Sequence, residues 1–96
     1  MNSQNSEATM AYIAEKFDFA SFVAAEIKNA RIKHQPIQSV HEGYAVILEE
    51  LEEFWDEVRK KRADRDATLM LDELVQLAAM AQRTAEDTGL ISPSSD

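Results

Sequence analysis

The chain has no cysteine among its 96 residues, which excludes disulfides, thiolate metal sites and a cysteine nucleophile and fits a reducing compartment. Glycine and proline occur twice each. So few turn residues leave long uninterrupted segments, which favours a few long helices over a many-stranded sheet. No stretch approaches the ~20 apolar residues needed to cross a bilayer, and the opening MNSQNSEATM lacks a basic-then-apolar signal pattern. A cytoplasmic protein without a membrane partner is therefore expected. Cations are scarce: 10 Lys and Arg against 18 Asp and Glu give a net charge of −8. A nucleic-acid polymer is then not an expected partner, because such binding draws on Lys and Arg displacing counterions. A Gly-rich phosphate loop, a Ser-His-Asp set and a Cys-His pair are also missing. Metal-assisted hydrolysis is the chemistry left to such a chain, and a free nucleotide that arrives with Mg²⁺ is compatible with an acidic site.

What is present is apolar periodicity. One domain is expected over 1–96, and a chain of this size buries only about 60–65% of its unfolded surface, so self-association would enlarge a modest core. From about 6 to 34, Met10, Ile13, Phe17, Ala20, Ala24 and Ile27 recur at helical spacing. They belong to one helix, or to two divided at KFDFAS, where Asp18 followed by Ser21 makes a start signal. Pro36 ends this segment. Ser39 and Glu42 form a capping box for a second helix, which runs through an acidic stretch to Arg59, Lys60, Lys61 and Arg62 at its negative end. A third helix starts after Asp64 or Asp66 and stops near Gly89, leaving 90–96 as a loose tail. From Leu69 to Ala81 only Asp72, Glu73 and Gln76 are polar. A helix apolar on nearly every side is expected to be buried on nearly every side, so the fold reads as an all-α bundle of three to four long helices completed by oligomerisation.

The acidic stretch LEELEEFWDEV, residues 48–58, does not keep all its acids on the solvent side. Tyr44, Ile47, Leu48, Leu51, Phe54, Trp55 and Val58 make the apolar stripe, and Glu50 lies on its edge with Glu53 beside it one turn later. Two readings compete: a solvated acidic face, or a divalent-metal site. The third helix bears on the choice, because Glu73 and Gln76 share one surface of an otherwise apolar element, and a buried carboxylate is costly unless paired or metal-bound. Antiparallel packing of the two helices would set Glu50 and Glu53 opposite Glu73 and Gln76, with convergence expected within about 5 Å for shared oxygen coordination of Mg²⁺ or Mn²⁺. The remaining acids of the stretch read as solubilising.

These residues resemble the signature of the MazG-like, all-α nucleoside triphosphate pyrophosphohydrolases, a Glu-x-x-Glu on one helix and a Glu-x-x-Asp on the next. Glu50-Leu51-Glu52-Glu53 matches the first element; Glu73-Leu74-Val75-Gln76, after nineteen intervening residues, matches the second except at Gln76. The resemblance covers roughly 39–88 as a metal-binding helix pair. It implies hydrolysis of a (deoxy)nucleoside triphosphate to a monophosphate and pyrophosphate, as in nucleotide-pool house-cleaning, by a homodimer or homotetramer that uses Mg²⁺. Glu50, Glu53, Glu73 and Gln76 would be the ligands, with Asp72 able to supply the charge that Gln76 lacks and Glu49 able to orient the attacking water. The alternative is a non-catalytic helical binding or assembly module that kept the fold, with Gln76 satisfying buried hydrogen bonds.

Lys60, Lys61 and Arg83 are the candidate phosphate contacts, while the basic cluster as a whole has dipole compensation as its plain explanation. His34 and His41 read as capping or packing residues, since neither has a second ligand at metal spacing. Tyr44 and Trp55 read as core. Gly43 within a helix costs about 1 kcal/mol relative to Ala, which suggests close approach of another helix or of a ligand.

Overall fold

The structure is a computed structural model that describes residues 18–92. Within them the chain is all-helical: α1 (Phe19–Lys33), α2 (Val40–Val58), a short 3₁₀ turn (Arg62–Asp64) and α3 (Ala67–Asp87). Met10, Ile13, Phe17 and most of the 90–96 tail lie outside the described residues.

Each helix starts where a short polar side chain replaces a missing backbone acceptor. Asp18 accepts from the amide and the hydroxyl of Ser21, both at 2.9 Å, so a helix begins at KFDFAS. Ser39 accepts from the Glu42 amide at 3.0 Å. Glu42 returns the bond one residue further out than a standard capping box, accepting from the Gln38 amide at 3.1 Å. Asp66 caps α3 by accepting from Leu69 at 3.1 Å. α3 ends in a Schellman motif: Leu90 N–H donates to Ala85 O at 2.9 Å and Gly89 N–H to Glu86 O at 3.3 Å, with Gly89 at φ +80°. The basic cluster falls just beyond α2, in the connection and the 3₁₀ turn. It is Arg65 that covers a terminal carbonyl, its Nε donating to Val58 O at 2.8 Å.

α3 is the central element, packed against both α1 and α2. Arg31 near the end of α1 meets Glu86 and Asp87 near the end of α3, so these two run parallel. Gly43 near the start of α2 meets Thr84, and Glu57 near its end meets Asp66, so α2 and α3 are antiparallel. A Cβ at Gly43 would stand 2.6 Å from Thr84 Oγ1, so the close approach suggested by that glycine is made by α3. Val23 and Ile27 of α1 and Val75, Ala79 and Met80 of α3 form the core, with Val46 and Ile47 of α2 packed on it.

Two ties close the structure at the opposite ends of α2. Glu57, 3% exposed, accepts from the Asp66 amide at 2.7 Å and pairs with Lys60 at 2.8 Å. The Lys60 ammonium and the Asp66 amide hold the Glu57 carboxyl below its usual range. Glu57 is therefore not one of the solubilising acids. At the other end Asp87 accepts from the Ile37 amide and from Arg31, both at 2.8 Å. Burial by itself would raise the Asp87 carboxyl, but these partners outweigh it and hold it low.

Tyr44 and Trp55 are not core: they are 60% and 58% exposed. With Leu48 and Leu51, also exposed, they form a second apolar edge on α2, turned away from α3. Ile47 and Phe54 take the packed side. In the single chain α3 likewise exposes Leu69 and Leu71.

Candidate metal centre

The antiparallel contact of α2 with α3 brings three carboxylates together. Glu50 and Glu53, one turn apart on α2, meet Glu73 of α3 with an oxygen of each within 4.8 Å of the others. The local cause is helical periodicity: a three-residue step keeps Glu50 and Glu53 on one flank, while Ile47, packed on the core, seats α2 against α3. Glu50 and Glu73 are half-buried and Glu53 is exposed.

Two oxygens of this group, Glu50 Oε2 and Glu73 Oε2, are buried without a hydrogen-bond partner. Among the described residues the four ion pairs are Arg31–Glu86, Arg31–Asp87, Arg59–Asp56 and Lys60–Glu57, so no lysine or arginine neutralises the three acids. Burial, then the charge of Glu53 and hydrogen bonding with Glu73, push the Glu50 carboxyl up to about 8. Burial and Glu53 raise Glu73 as well. A carboxyl cluster without a cation relieves its repulsion by keeping a proton; a divalent cation would take that proton's place. Oxygen donors from three carboxylates are the set that Mg²⁺ or Mn²⁺ prefers, so the residues present fit such an ion.

A cleft of about 390 Å³ opens beside the cluster. Glu50 belongs to both, and Glu49, Gln76 and Arg83 share the cleft wall with it. Asp72 is placed elsewhere: it is exposed and lines an apolar groove between α1 and α3 with Phe22, Leu71 and Val75. Its charge still reaches Glu73 and contributes to raising that carboxyl.

The three candidate cations separate. Lys60 is engaged with Glu57, about 10 Å along the axis of α2 from Glu53 at a rise of 1.5 Å per residue. Lys61 is exposed ahead of the 3₁₀ turn. Arg83 is buried in the cleft wall, 4% exposed, where Nη2 donates to Gln35 O at 3.0 Å and Nη1 to Met80 Sδ at 3.6 Å. His34 is the C-cap of α1, its amide donating to Ala30 O at 2.8 Å, and its side chain also lines the cleft. Glu57, the structural acid that sequence reasoning placed on the surface, sits four residues after Glu53 and one residue before the helix end; only the position of Asp66 distinguishes it from its neighbours.

No family model, no curated protein and no solved structure matches this chain.

Proposed function

We propose that the chain is a Mg²⁺-dependent nucleoside triphosphate pyrophosphohydrolase of the MazG-like kind, converting a (deoxy)nucleoside triphosphate to the monophosphate and pyrophosphate as nucleotide-pool house-cleaning in the cytoplasm. The observation that carries this reading is the approach of Glu50, Glu53 and Glu73 to within 4.8 Å with no cation paired to them among the described residues, and with two of their oxygens buried and unpaired. Glu50, Glu53 and Glu73 would hold the ion. Gln76, on the cleft wall beside Glu50, offers a neutral amide oxygen where a carboxylate would add charge, which weakens the hold on a hard cation. A bound Mg²⁺ would supply phosphate neutralisation and Lewis acidity. Glu49 faces the same cleft, where its carboxylate can accept a proton from an attacking water and orient it. Purified protein is incubated with each dNTP and NTP and with Mg²⁺ or Mn²⁺, and pyrophosphate is scored. Release that is abolished in Glu53→Gln is expected; no release from any nucleotide, together with no metal-induced thermal shift, sinks the reading.

The exposed stripe of Tyr44, Leu48, Leu51 and Trp55 supports a homodimer or homotetramer, since its 4-3-4 spacing is that of a helix seam and a second copy would bury it. Sedimentation of Leu48→Glu against the unmodified chain tests it. The same stripe, with Gln76, favours the second reading, a non-catalytic helical binding or assembly module. That reading predicts partner capture that survives Glu53→Gln.

A further inference from the structure

Arg83 is engaged in no ion pair among the described residues, only in a longer-range attraction to Asp87, although Glu26, Glu42, Glu49 and Glu50 line the same cleft. It is 4% exposed, and a buried charge is costly unless it is paired. Of the five N–H donors of a guanidinium, one goes to the Gln35 carbonyl and one to the Met80 thioether at 3.6 Å, a weak acceptor. Nε, hidden from solvent, has no partner. Along α3, Glu73, Gln76, Met80 and Arg83 follow one another at steps of three, four and three, so they lie on one helix face. That face runs from the carboxylate cluster at one end to an unsatisfied guanidinium at the other, about 15 Å apart along the axis at a rise of 1.5 Å per residue.

We infer that the Arg83 end of the cleft is a phosphate subsite, which receives one phosphoryl group of a ligand whose other end lies at Glu50, Glu53 and Glu73. The inference rests on the nucleotide reading of the cleft and adds a claim that is tested without metal or turnover. A guanidinium fork matches phosphate oxygens, and Mg²⁺ is commonly held by one or two carboxylates together with substrate phosphates, so the two ends of the face serve one kind of ligand. Met80 is the residue that gives way. Its unbranched side chain adapts readily, and replacing a thioether by an anionic oxygen gives Nη1 a stronger acceptor and Nε its first.

The probe is inorganic pyrophosphate in EDTA, titrated into the full chain and followed by calorimetry and by the Arg83 Nε–H resonance of ¹⁵N-labelled protein. The expected result is a saturable shift of that resonance, with pyrophosphate affinity falling at least tenfold in Arg83→Gln and less in Arg83→Lys. The metal site is read separately, by the thermal shift that Mg²⁺ gives the unmodified chain and that is weakened in Glu53→Gln. A subsite that fails with the Mg²⁺ response intact therefore leaves the metal reading standing, and the converse holds. The inference is overturned if pyrophosphate leaves the Arg83 Nε–H unmoved, whether or not it binds, or if a folded Arg83→Gln binds it as well as the unmodified chain. Should Arg83→Gln fail to fold, the resonance of the unmodified protein decides alone. A side chain whose only role is to tether Gln35 would not respond to the titration.

Discussion

Replacing Glu53 by Gln should change the protein in opposite directions with and without divalent metal. Glu53 is exposed, so the change disturbs no packing. It removes one of three charges whose oxygens lie within 4.8 Å. At that distance and an effective dielectric near 20, two ionised carboxylates repel by about 3.5 kcal/mol, which solvent screening at an exposed position reduces to about 1 kcal/mol. In EDTA at pH 8.5, above the raised value of about 8 for Glu50, the variant should therefore melt higher by about 4–8 °C, the usual effect of 1 kcal/mol in a domain of this length. Well below that raised value, where Glu50 keeps its proton and one charge of the cluster is gone in both proteins, the difference should shrink. Adding Mg²⁺ reverses the order. At a hundredfold excess over its dissociation constant an ion that binds only the folded state adds about 2.7 kcal/mol, and the variant, short of one ligand, gains much less. Differential scanning fluorimetry across pH, in EDTA and in Mg²⁺, reads all four conditions. A lower melting temperature for the variant in EDTA would show that repulsion does not dominate at the cluster. An equal Mg²⁺ response in both proteins would remove Glu53 from any metal site.

Metal-free stability should also depend on pH with a definite sign. Glu50 has a folded value of about 8 against 4.5 unfolded, so between the two the folded state keeps a proton that the unfolded chain has lost; urea midpoints in EDTA should fall as pH rises through that window and level off above it. On the acid side Asp18, Glu57 and Asp87 are held low by their partners, so their contribution is present above the unfolded values and lost as pH falls through the folded ones. Gly43→Ala should destabilise by about 1–3 kcal/mol through overpacking, despite the better helix propensity of Ala, because the new methyl meets Thr84; Thr84→Ala should restore much of the loss in a double-mutant cycle. Glu57→Gln should lower the melting temperature well beyond Glu52→Gln, since only Glu57 is buried and bonded to the Asp66 amide. Gln76→Asp should tighten Mg²⁺ binding by calorimetry, by restoring a charged oxygen beside Glu50; unchanged affinity would place Gln76 outside the coordination shell.

Much of the secondary structure was legible in the chain because its determinants are local. A cap needs only its own side chain and an amide three residues on, so Asp18, Ser39 and Asp66 mark helix starts by themselves, and Gly89 marks an end because a left-handed residue is needed there. The pairing of Glu50 with Glu53 was legible for the same reason: a three-residue step on a helix is a distance. Tertiary packing decided what spacing cannot express. Tyr44, Leu48, Leu51 and Trp55 share the periodicity of Ile47 and Phe54, and only the side from which α3 approaches separates the exposed edge from the packed one. Glu57 looks like Glu53 in the sequence and becomes a buried structural acid because the α2–α3 turn returns the Asp66 amide to it. Lys60 and Arg83 are both candidate phosphate contacts by sequence, yet the turn engages the first with Glu57, and the helix face carries the second into the cleft. Composition and periodicity thus determined that this chain is helical, acidic and rich in paired carboxylates. Which carboxylates meet, and which charges are left without a partner, depended on how two helices are set against a third, because burial and proximity belong to pairs of elements and not to one.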